Sequence, residues 1–149
     1  MFITYNSHKS RTLLGKLIRF FSRGKFSHTS INLNGVIYEA HIGTGVRTIQ
    51  EKDWDGKYIL SSTTFKIDVH THRELKYWLD RQVGKKYDLW GVLSFIWRFA
   101  QPQKGKWFCS ELAMVTLAKQ FHLYEYNQRQ SPTDFYYYLQ AIYKITTDR

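Results

Sequence analysis

The chain contains a single cysteine, Cys109, standing where the polar turn Gln101–Lys106 gives way to a helical pattern over Cys109–Gln120. A lone cysteine is ordinarily a small buried hydrophobe, so its placement has to carry any further reading. Backbone amides at a helix start favour a thiolate and can donate to an oxyanion. A thiolate nucleophile also needs a base that returns a proton to the leaving group, and that base needs a partner on its second nitrogen. Of the six histidines, His28 has the most promising surroundings.

Those surroundings are a β-hairpin. Ser27–Leu33 and Val36–His41 flank Asn34–Gly35, the pair best suited to a two-residue turn because both positions require positive φ. With Leu33 facing Val36, the count places Ser30 opposite Glu39 and His28 opposite His41. Period-two alternation then gathers His28, Ser30, Glu39 and His41 on one face. The other face carries Thr29, Ile31, Leu33, Val36, Tyr38 and Ala40. Glu39 and His41 both qualify as the orienting partner of His28. His8, His70, His72 and His122 have no such arrangement, and the repeat His70–His72 lacks a third ligand, so neither a metal nor another cofactor is expected. Glu111, in the first turn after the cysteine, reads as a helix-terminus partner.

The elements that must position these groups follow from local patterns. Phe2–Tyr5 reads as a strand. Ser10 is expected to cap a helix over Thr12–Ser22, with Leu13, Leu14, Leu17, Ile18 and Phe21 on one face and Gly24 as its stop. That helix suits packing on a core, or lying on a membrane surface. Val46–Ile49, Tyr58–Leu60 and Thr64–Val69 read as strands. Thr71 with Glu74 suggests a capping box that opens a helix through Val83, closed by Gly84. A third helix is expected over Leu89–Ala100. Ser131, Pro132 and Asp134 announce a last helix, with Ile142–Ile145 as a closing strand. The mixture lacks the regular alternation of a doubly wound sheet, so the expected fold is α+β, a small and mostly antiparallel sheet packed with helices.

With 149 residues, 43% hydrophobic, the chain suits one domain spanning 1–149 with its own core. One cysteine excludes an intrachain disulfide and any multi-cysteine metal site. The N-terminus has an apolar stretch broken by Lys and Arg, unlike a signal peptide. Leu89–Ala100 is shorter than the ~20 residues that cross a bilayer. A cytoplasmic location, with peripheral membrane association as an option, is the expectation. The formal net charge of +10 favours weak contact with an anionic surface such as a membrane or cell wall, with Arg11, Lys16, Arg23 and Lys25 near the rim of the domain. No zinc-finger, basic-helix or RNP-like pattern supports specific nucleic-acid recognition.

Three segments together resemble a known family. Phe26–Ile31, Val36–Ala40 and Gly45–Val46 look like the histidine hairpin of the permuted papain-like, YiiX-type branch of the NlpC/P60 superfamily. Gly84–Lys85–Lys86–Tyr87–Asp88 resembles its segment before the nucleophile, and Trp107–Phe108–Cys109–Ser110–Glu111–Leu112 its nucleophile motif. The histidine precedes the cysteine, the order of the circularly permuted members, shared with the lecithin:retinol acyltransferase-like enzymes. The resemblance covers roughly Met1 to Leu139. It implies Cys109 as nucleophile, His28 as base and Glu39 as orienter, with a thioester acyl-enzyme. His41, Ser30, Ser110 and Tyr5 are the implied cleft neighbours. The substrate would be a peptide, another amide or a lipid acyl group, for hydrolysis or acyl transfer. The alternative is a catalytically inactive basic binding domain; an accessible, reactive Cys109 would mark the enzyme.

Overall fold

The computed structural model describes residues 1–93, 103–123 and 130–148. Five strands form one sheet in the order β4-β3-β2-β1-β5, every neighbouring pair antiparallel. Their ranges are β1 Phe2–His8, β2 His28–Leu33, β3 Val36–His41, β4 Gly45–Gln50 and β5 Ile59–Lys66. The α+β expectation with a small antiparallel sheet holds. The Asn34–Gly35 turn does too: both residues have positive φ, and the ladder pairs Leu33 with Val36, then Asn32 with Ile37 and Ile31 with Tyr38.

Helices cover one face of the sheet. Helix α4, Cys109–Gln120, packs on β2 and β3, and α5, Pro132–Thr147, packs on β1 and β5. Every residue of α4 except Lys119 is buried, as expected of a helix apolar on most sides and placed centrally. The sheet contributes Ile3, Tyr5, Ile31, Leu33, Tyr38 and Ala40 to this core, and the helices contribute Leu112, Leu117, Phe135 and Leu139. The opposite face is polar yet also closed: Asn6, His8, Ser30 and Glu39 are all buried. Trp54 sits edge-on to the His8 ring at 5.6 Å, so the loop before β5 helps roof this second layer.

Several boundaries differ from expectation, each for a physical reason. β1 runs on to His8 because pairing on both sides, with β2 and β5, overrides the weak strand preference of Asn6 and Ser7. The same pairing joins the two expected strands Tyr58–Leu60 and Thr64–Val69 into one, β5, over Ile59–Lys66; it stops short of Val69 because Asp68 caps the next helix, which begins at Val69. The first helix, α1 over Leu13–Phe21, is capped by Thr12, whose side chain accepts from the Gly15 amide, and not by Ser10. Helix α2, Val69–Asp80, takes Asp68 as its cap, with the Thr71 amide donating to it at 2.9 Å; the suggested Thr71–Glu74 box lies inside the helix. Ile142–Ile145 is not a strand: it belongs to α5, which continues to Thr147 and packs as a helix on β5, with Tyr143 against Phe65. Ser131 forms the anticipated capping box with Asp134. Of the third helix, α3 is described as Leu89–Leu93; the remainder of the expected Leu89–Ala100 lies outside the described residues.

Candidate active site

His28 opens β2 and turns its ring toward Glu39 on β3. The ring Nε2 lies 2.9 Å from Glu39 Oε2. The other carboxylate oxygen, Oε1, accepts two bonds from Arg47, from Nε at 2.9 Å and from Nη2 at 2.5 Å. Arg47 reaches it because the β3–β4 register sets Glu39 directly opposite Arg47. A carboxylate with one fork from arginine and one contact to imidazole is held in a single orientation. Burial alone would raise the Glu39 pKa; the bonds and charges of His28 and Arg47 outweigh it and lower the group to about 2.

The sulfur side is built from the second and third sequence segments. Trp107 and Lys86–Asp88 are stitched together by Trp107 N–H to Lys86 O at 3.1 Å and Asp88 N–H to Trp107 O at 2.9 Å. Asp88 is fully buried. Its carboxylate accepts from the Gly91 and Gln103 amides, each at 2.9 Å. This frame carries Tyr87, whose pKa is raised by burial first and then by Cys109 and Asp88; Cys109 is the first residue of α4. Burial pushes the His28 pKa down, but hydrogen bonds to Cys109 and Glu39, with the charges of both, override it and raise the ring to about 10. The imidazole is thus tied by geometry to the carboxylate of Glu39.

A cleft of about 710 Å³ opens beside this cluster. Its walls include His28, Glu39, His41 and Arg47 from the hairpin and β4, Leu14 and Ile18 from α1, and Tyr87. His41 is exposed there, with its Nδ1 3.3 Å from Thr44 Oγ1. Glu39, not His41, contacts the His28 ring. Cys109 itself is only 3% exposed, against the expectation of an accessible thiol. Tyr87 lines the cleft, and Cys109 is not among the lining residues.

The three other expected cleft neighbours sit elsewhere. Tyr5 is in the core on the helix side of the sheet, fully buried, with its hydroxyl donating to Gln120 Oε1 at 2.8 Å. Strand alternation turns it away from His28. Ser110 is buried and donates to the Gln130 carbonyl at 2.7 Å. Ser30 is buried beneath the polar layer, 2.9 Å from His8 Nε2. His70 and His72 lie on α2, not on a strand. Among the described residues no group of three or more His, Cys, Asp or Glu side chains is placed to hold a metal ion.

No protein-family model matches the chain, and no curated protein matches it.

Three residues of the cluster escaped the sequence reading. His8 pairs with His28 across β1 and β2, and the two rings stand 5.2 Å apart. Burial, then the neighbouring His28 charge, lowers the His8 pKa to about 4, so it sits beside the cluster as a neutral ring. Arg47 was legible in principle, since a tight turn after His41 sets it opposite Glu39. Tyr87 had no local signal beyond its place in the second segment. Glu111 is buried. Burial raises its pKa to about 7, against a hydrogen bond from the Phe108 backbone, which fits its expected role at the helix terminus.

Proposed function

We propose that this chain is a cysteine hydrolase of the circularly permuted papain-like type, in the YiiX-like branch of the NlpC/P60 superfamily, acting on an amide or ester. The observation that supports the reading most is the imidazole of His28, bonded through Nε2 to an arginine-anchored carboxylate, with its pKa raised to about 10 by Cys109 and Glu39 against burial. In this reading the Cys109 sulfur, as thiolate beside the His28 imidazolium, attacks the acyl carbon. The electron pair of the carbonyl moves to oxygen, and the first-turn amides of α4 stand ready as donors to that oxyanion. As the C–N or C–O bond breaks, the imidazolium gives its Nδ1 proton to the leaving amine or alkoxide, and a thioester to Cys109 remains. His28 then takes a proton from water, the hydroxide adds to the thioester, and the sulfur leaves as thiolate. An incoming alcohol or amine in place of water would give acyl transfer. Glu39 and Arg47 orient the ring throughout. Peptide, amide and lipid acyl substrates all suit this chemistry.

One observation favours a second reading, a basic binding domain whose thiol is idle: Cys109 is covered. Covalent labelling separates the two. A panel of electrophilic amide and ester probes is read by intact mass at neutral pH. A single adduct is expected on the native chain, absent in Cys109→Ala and formed about 100-fold or more slowly in His28→Ala. Folded protein left unmodified by every probe would overturn the enzyme reading.

A further inference from the structure

Helix α1 carries more apolar surface than its packing uses. Gly15 and Ile18 face inward and are buried, and Leu14 and Ile18 line the cleft. Leu13 and Phe20 are each 75% exposed, Phe21 39% and Leu17 38%. At about 100° per residue, these four fall on one continuous stripe turned away from the buried side. Four large apolar side chains in water on a helix of nine residues form a contiguous patch, unlike the scattered singles of an ordinary surface.

The charge around the stripe has one sign. Residues 1–38 contain six Lys and Arg and no Asp or Glu; the first acid in the chain is Glu39. Arg11, Lys16, Arg23 and Lys25 are exposed, and among the described residues none of them forms an ion pair. Of the three acids of the adjoining cleft wall, Glu39 is paired with Arg47 and His28, while Asp53 and Asp55 belong to the segment before β5, and Asp55 is paired with Lys57 at 3.1 Å. A short helix with bulky apolar residues outward, flanked by unpaired cations, is complementary to the headgroup and acyl boundary of an anionic bilayer.

We propose that α1 docks on anionic membrane surfaces, with Leu13, Leu17, Phe20 and Phe21 entering the interfacial layer and Arg11, Lys16, Arg23 and Lys25 meeting the headgroups. The same helix forms a wall of the cleft, so docking brings the cleft beside the bilayer. The surface is independent of any chemistry at Cys109 and goes beyond the function proposed above.

The test is cosedimentation of the full chain with vesicles of phosphatidylcholine containing about one third phosphatidylserine, and with vesicles of phosphatidylcholine alone. Binding is expected to the anionic vesicles and to be at least about tenfold weaker to the neutral ones. Leu13→Ser with Phe20→Ser should weaken anionic binding about tenfold or more at unchanged charge. For insertion, Phe20→Cys in a Cys109→Ser background carries an environment-sensitive dye, whose emission should shift to the blue on binding. Three results would each overturn the proposal: no preference for anionic vesicles, full binding by the serine double variant, or a dye that stays in water. A dimer in light scattering that the serine variant dissolves would also overturn it, assigning the stripe to a second copy of the chain. Because the Cys109→Ser protein is tested for vesicle binding and the native chain for probe labelling, failure of docking and failure of the cysteine chemistry are read separately.

Discussion

Replacing Glu39 by Gln is the sharpest perturbation of the cluster. The amide keeps the shape and removes the charge that His28 Nε2 meets at 2.9 Å. Glu39 is 5% exposed, so water does little to screen the contact. Charge-assisted bonds of this kind are worth about 1.5–3 kcal/mol, and each ~1.4 kcal/mol is tenfold in an equilibrium. The preference of His28 for its charged form should therefore fall about 10- to 100-fold, and the Cys109 reactivity that the proposed function assigns to it should fall with it. The assay is the rate of Cys109 alkylation by a small neutral reagent as a function of pH, with circular dichroism confirming the fold. The expected result is a rate near neutral pH reduced by that factor. The sign of the stability change follows from the same pair. His28 is raised from 6.5 to about 10, so its contribution is complete below pH 6.5 and is lost as pH climbs through 10. Glu39 is lowered from 4.5 to about 2, so its contribution is complete above pH 4.5 and is lost as pH falls through 2. Both act together between pH 4.5 and 6.5, where the melting temperature of the native chain should exceed that of Glu39→Gln by the most. An alkylation profile unchanged by Glu39→Gln, with the fold intact, would refute the reasoning.

Further expectations concern the surroundings of the pair. His8 is lowered from 6.5 to about 4, so it disfavours the folded state as pH falls from 6.5 toward 4, and His8→Gln should flatten the melting temperature across that range. Tyr5→Phe removes only the bond to Gln120; it should cost about 1 kcal/mol in urea unfolding and leave Cys109 labelling unchanged. Gly45 has φ of +78°, and a Cβ there would overlap the Lys85 carbonyl oxygen, which also accepts from the Val46 amide. Gly45→Ala should therefore destabilise by more than about 1 kcal/mol and slow labelling, because the strand it displaces anchors the segment leading to Tyr87.

The division between what was local and what was not runs through particular residues. The Asn34–Gly35 turn needs two positive φ values, and that requirement with period-two alternation was enough to set the hairpin register and to put His28 and Glu39 on one face. The start of α4 at Cys109 and the Ser131 capping box were legible because caps, prolines and turn residues act over a few positions of chain. The choice between Glu39 and His41 was not legible, since both share that face. It was decided by Arg47, which holds the carboxylate in place from the next strand, while His41 lies exposed at the strand end. The approach of His8 to His28 depends on a long-range strand pairing that carried β1 through polar residues. Tyr5 reads as a cleft residue by proximity in sequence, yet alternation turns it into the core once α4 and α5 fill that side. Ile142–Ile145 has the composition of a strand, but it continues the helix begun at the Ser131 cap, whose own hydrogen bonds satisfy its backbone groups. Local chemistry determined the elements and the candidate nucleophile and base. Only the packing of distant segments decided which groups meet them and how far the sulfur is covered.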